Sequence, residues 1–180
     1  MKRLVLYALL SLLLACGRQQ EDDVQPASPS TPFGSVATVL AYRERIEPHI
    51  RAVTEAQLVV EQQLGSTGQA TASNLAAAMH QARPPLQAAH DELQQIDPPA
   101  RLASLHANIA KLMATRLAAY QITIEGWEQE QTGTQATPAW QQQAEAKLTE
   151  ANELIAELNE QLQAVDSAVH AALSQQAASP

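Results

Sequence analysis

Few residues of this chain can do chemistry: its 180 residues include five histidines and a single cysteine. Neutral imidazole nitrogen suits Zn²⁺ and Cu²⁺, and a cysteine sulfur serves as a metal ligand, a nucleophile or an attachment point. His90 precedes Asp97 by seven residues and His106 follows it by nine. An antiparallel helical hairpin turning at Asp97 sets both imidazoles near one height, where Asp91 or water would complete a metal-binding or metal-sensing pair. The plainer alternative is that both are half-exposed interface residues making ordinary hydrogen bonds, since two protein ligands make a weak site. No Glu-x-x-His occurs, which excludes a di-iron carboxylate site, and no Cys-x-x-Cys-His, which excludes covalent haem. The loop serines have no neighbouring histidine and there is no Gly-rich phosphate cradle, so the sequence proposes neither an enzyme nor a cofactor.

The elements that must position these residues read as four helices. Ser35 is the N-cap candidate of the first, whose seam is Val36, Val39, Arg43, Ile46, Ile50, Val53, Gln57, Val60 and Leu64, at alternating spacings of three and four. Arg43 and Gln57 interrupt that seam and are expected to fix register or to snorkel, and Pro48 is expected to kink the helix before Gly65-Ser66-Thr67-Gly68 closes it. The second seam, Leu75 to Ile96, contains Pro84-Pro85, a pair that either breaks or kinks the helix. Asp97-Pro98-Pro99 reads as the start of the third, with Asp97 as N-cap and proline at the first helical position.

Along the third helix, Leu102, Leu105, Ile109, Leu112, Met113, Leu117, Tyr120, Ile124 and Trp127 form the apolar face, with a stutter in the middle and Gly126 weakening the end. Thr137-Pro138 restarts the chain into the cleanest heptad, Ala144 to Ala172, whose outer face carries Glu145, Glu150, Glu153, Glu157, Glu160 and Asp166 against Lys147. Trp127 and Trp140 are expected to cover the end of the bundle between these helices. With the seams at a and d, His49 falls at g, His80 and His170 at b, and His90 and His106 at e, so no histidine is expected on the axis.

The fold class is therefore all-α, an antiparallel up-down four-helix bundle over 35–176 with proline-disturbed first and second helices, followed by a disordered tail at 177–180. Seams of this kind can also be satisfied between chains, so a dimer of hairpins stays open. The formal net charge is -8, which argues against nucleic acid and against adhesion to anionic lipid.

The amino terminus, MKRLVLYALLSLLLACG, has a basic start at Lys2 and Arg3, an apolar core of about eleven residues and small Ala15. That core is shorter than the ~20 residues a bilayer span requires. Leu13-Leu14-Ala15-Cys16 resembles the lipobox of bacterial lipoproteins. The resemblance implies removal of residues 1–15 by cleavage between Ala15 and Cys16, a thioether-linked diacylglycerol on Cys16, and acylation of the new amine. Gly17 in place of Asp implies, by the same analogy, the outer membrane facing the periplasm in a didermal organism, and the outside of the cytoplasmic membrane in a monoderm. The segment from Cys16 to Gly34, rich in Pro, Ser, Gln and acids, is expected to be a disordered tether. Paired prolines ahead of a His-containing amphipathic helix also resemble uncharacterised helical envelope lipoproteins, a likeness that carries no activity. The expectation is a lipid-anchored, non-enzymatic binding or scaffolding component of the cell envelope, touching the membrane through its acyl chains and a possible envelope protein partner through its helices; a metal module using His90 and His106 is the alternative.

Overall fold

The computed structural model describes residues 29–68, 71–133 and 139–178. The expected leader, Ala15, Cys16, most of the expected tether, the expected Thr137-Pro138 restart and the last two residues lie outside that set. The described chain is an all-α bundle of four helices: α1 (Val36–Thr67), α2 (Ala72–Leu93), α3 (Ala103–Gln131) and α4 (Ala139–Ala177). Successive helices pack along their lengths, α1 on α2, α2 on α3 and α3 on α4, whereas α1 and α4 touch only lightly. The ring of four therefore has one weak edge.

The first helix starts where Ser35 predicts it, with the serine hydroxyl accepting from the Thr38 amide at 3.1 Å. It runs through Gly65 and stops at Gly68, whose φ of 64° is the left-handed cap conformation that glycine adopts at little cost. Its buried stripe differs from the expected seam. Val39, Tyr42, Ile46, His49, Val53 and Ala56 are buried, while Arg43 and Ile50 are half-covered and Gln57 is exposed. The stripe occupies d and g instead of a and d because α1 rests chiefly on α2, which turns the a positions toward the weak edge. The same rotation buries His49, at 7% exposure, against the expectation that all histidines lie off the core.

Pro48, Pro84 and Pro85 all sit inside uninterrupted helices, so the proline pair does not break α2. All three prolines are exposed, as are Glu44, His80 and Gln81, whose carbonyls lose their amide partners, so the lost bonds fall on the solvent side of the bundle. The start of α3 corrects another expectation. Asp97 is not its N-cap: the helix begins at Ala103, after a single 3-10 turn at Ala100–Leu102 in which the Leu102 amide donates to the Pro99 carbonyl at 2.8 Å. Pro99 is extended, with φ -55° and ψ 140°, so the helical run starts only after it; a proline also disfavours the α conformation in the residue before it, here Pro98.

The expected tether ends earlier than Gly34. Two short strands, β1 (Ser30–Thr31) and β2 (Gly34–Ser35), pair antiparallel and lead directly into α1. Thr31 is buried and its hydroxyl accepts from the Phe33 amide and donates to the Gly34 carbonyl. Arg101 donates to the Pro32 carbonyl, and Phe33 packs on the core beside Leu102, Leu105 and Val165. The single Phe supplies the apolar area that a Pro/Ser-rich segment otherwise lacks. At the other terminus α4 extends to Ala177, one residue beyond the expected limit.

Where α3 meets α4, Gly126 lies well inside a helix that continues to Gln131 instead of marking its end. It is buried because Trp140 fills the space a side chain would take, and a methyl group there would come within 2.9 Å of Trp140 Cβ and closer still to the ring. The Trp140 indole donates to Glu130 Oε1 at 2.8 Å, so both its apolar body and its polar edge are satisfied. Gly126→Ala should therefore lower stability by about 1–3 kcal/mol through overpacking, despite the roughly 1 kcal/mol that alanine normally gains over glycine in a helix. Thermal and urea unfolding check this, with Trp140→Leu expected to reverse the sign of the effect.

Candidate functional site

The weak edge between α1 and α4 opens into a cleft of about 200 Å³. Ile50, Val53, Thr54 and Gln57 form the α1 wall, Ile155, Leu158, Asn159 and Leu162 the α4 wall, and Ile109 and Leu112 of α3 the floor. Floor and walls are apolar; Thr54, Gln57 and Asn159 place the polar groups at the exposed rim. Near the end where α1 begins, Arg43 forms an ion pair with Asp166 of α4 across the same edge.

Two polar contacts run from α1 to α3 and bracket the cleft. On one side the Tyr42 hydroxyl lies 3.1 Å from His106 Nδ1, with the rings tilted at 48°. Burial pushes the Tyr42 hydroxyl up to about 12, Arg45 pulling weakly the other way. Burial first, then the charges of His49 and Arg45, hold His106 below the ordinary imidazole value. At neutral pH this is a hydrogen bond between two uncharged groups. On the other side Arg116 Nη2 donates to Gln57 Oε1 at 3.0 Å, and Gln57 Nε2 donates onward to Glu61 at 2.7 Å. Arg116 is 4% exposed and its Nε has no hydrogen-bond partner among the described residues.

The histidines expected to share a metal have separate partners. His106 faces Tyr42 and His49 on α1, while His90 lies beside Asp91 at 3.6 Å and Gln94 at 3.3 Å on its own chain segment. Among the described residues no group of three or more His, Cys, Asp or Glu converges as a metal site. Cys16 and Ala15 fall outside the described residues. The acidic outer face of α4 is partly engaged within the molecule: Glu150 binds Lys147 and approaches Lys111, Glu157 accepts from Asn108, and Asp166 holds Arg43. Trp127 lies on the α2 side beside His80 and Ile124, and Trp140 on the α4 side against Gly126, so the two tryptophans cover different seams at the same end.

Arg43 and Gln57, legible as breaks in the first seam, belong to the cleft edge and its rim. Arg116 was not singled out by its sequence context, although a strict continuation of Leu105, Ile109 and Leu112 by four lands on it. Reading a stutter toward Leu117 passes over it. Tyr42 and His49 share the g line and carry the same lesson. No protein-family model matches the chain, and neither the curated proteins nor the solved structures contain a match.

Because His106 takes up a proton less readily in the folded state, the unfolded chain protonates first as pH falls below about 6.5. Stability is thus full above that pH and declines as pH drops toward the folded value. Urea unfolding at pH 7.5 and 5.5 should show this loss, and His106→Gln should reduce the difference between the two midpoints; an unchanged difference contradicts the assignment.

Proposed function

We propose that the protein is a lipid-anchored, exported binding module of the bacterial cell envelope, held by acyl chains on Cys16 and receiving a slender apolar ligand in the cleft between α1 and α4. The cleft carries the binding reading: it lies at the edge where α1 and α4 touch only lightly, and apolar Ile50, Ile155 and Leu162 are half-covered there. At about 200 Å³ it exceeds the 150 Å³ apolar cavity known to accept benzene, while staying below the roughly 300 Å³ at which drug-sized pockets begin. A single chain or ring is what fits. The reaction-poor lining supports binding over catalysis, since the rim offers only a threonine hydroxyl and two side-chain amides.

Leu13-Leu14-Ala15-Cys16 supports the anchor, and Gly17 supports the outer membrane in a didermal organism. Attachment by acyl chains accords with the acidic balance, which gives no electrostatic grip on anionic lipid. Among the described residues no helix is long and apolar enough to cross a membrane. Residues 17–28 span at most about 40 Å when fully extended, so the bundle works within that distance of its anchor. A protein partner at the acidic face of α4 is the weaker reading, because three of the six acids there already serve the bundle.

Two measurements test this function. Mass spectrometry of the detergent-extracted protein should find Cys16 as the first residue, carrying a diacylglyceryl group and an N-acyl chain, and Cys16→Ser should abolish both modifications; a free thiol with the leader attached overturns the anchor. Photolabelling with decanol bearing a terminal diazirine should modify the Ile50–Gln57 and Ile155–Leu162 segments, and Thr54→Phe at the rim should reduce that labelling several-fold; labelling elsewhere or nowhere overturns the cleft.

A further inference from the structure

Arg116 is a buried cation whose charge nothing in the described bundle answers. Its guanidinium is nearly inaccessible, its Nε is unpartnered, and no ion pair among the described residues involves it. Burying a charge without a counter-ion is costly, and the usual solution is a carboxylate. The group standing there is the neutral amide of Gln57, at 3.0 Å from Nη2. Gln57 lines the cleft, is exposed, and is drawn outward by its own bond to Glu61, so the amide can swing away from Arg116 without crossing the core. Leu112, one turn before Arg116 on α3, is part of the cleft floor. The cleft therefore runs from an apolar trough to a concealed cation, with a movable amide between them.

We propose that the cleft binds a single-chain amphiphilic anion of the fatty-acid type, its carboxylate replacing the Gln57 amide at Arg116. The inference rests on the binding reading above and adds the ligand's chemical class. Arg116 offers Nε and Nη2, two donors on one edge, and that edge matches the two oxygens of a carboxylate. The chain lies over Ile109 and Leu112 between the walls. From Ile50 to Gln57 the helical rise gives the trough a length of about 10 Å, enough for a medium acyl chain and too narrow in volume for a paired-chain lipid.

The test uses the full-length acylated protein in phospholipid nanodiscs and three photolabels of one length: decanoate, decanol and decyltrimethylammonium, each with a terminal diazirine. The carboxylate should label the two wall segments most strongly and the ammonium least. Gln57→Glu supplies Arg116 with an internal carboxylate, so it should raise the thermal midpoint and lower the ratio of decanoate to decanol labelling by about tenfold or more. Arg116→Lys, a point charge without the fork, should retain only part of the preference for carboxylate. Equal labelling by carboxylate and alcohol, unaltered by Gln57→Glu, overturns the anion while the apolar cleft stands. Failure of all three labels in the wall segments removes both.

Discussion

The close approach of α3 to α4 governs the rest of the structure. Gly126 gives Trp140 a place to lie, and buried Ala144 and Ala151 keep the facing surface of α4 low, so the two helices pack along their lengths. α3 is at the same time packed on α2, and it buries residues on more than one face, including Met113, Ala119, Tyr120 and Thr123. Even the Thr123 hydroxyl is absorbed, donating back to the Ala119 carbonyl at 3.0 Å. With α4 committed to α3 and α1 committed to α2, the edge between α1 and α4 receives what is left. The cleft is a consequence of where the small residues lie, before any ligand is considered.

That division also explains what the sequence disclosed and what it hid. Four helices, their approximate limits and the Ser35 cap follow from period and punctuation, because the apolar stripe and the cap chemistry are local signals. Which side of α1 would be buried is not a local matter. Val39, Ile46 and Val53 belong both to an a/d seam and to a d/g seam, and only the strength of the α1–α2 contact selects the second. Arg43 and Gln57 were visible as irregularities, but the seam they appear to interrupt is the one facing the cleft. Their polarity is consistent with that edge and anomalous only for a closed bundle.

Other departures have equally specific causes. Asp97-Pro98-Pro99 has the composition of a helix start, yet Pro99 is extended, and the helix waits for the next turn. Pro84 and Pro85 have the composition of a helix end, yet their lost hydrogen bonds fall on an exposed face of the helix. The segment ahead of α1 resembles a tether until Phe33, whose burial against the bundle end folds the last residues into a small hairpin. In the last two instances placement on the bundle reverses what residue types alone imply.

The position of Arg116 in so acidic a chain bears on which anions can reach it. A formal charge of -8 gives no long-range attraction for an anion, and screening over about 8 Å at physiological salt prevents one buried guanidinium from offsetting it at a distance. A small inorganic anion would have to displace the Gln57 amide with only the charge pair as return, in a site largely closed to water. An amphiphile brings a second source of free energy, about 0.8 kcal/mol for each methylene removed from water. Six such groups in the trough would contribute roughly 5 kcal/mol before the headgroup engages, of the order needed to offset desolvation of the carboxylate. The apolar walls thus do more than hold a chain: they select for anions that carry one.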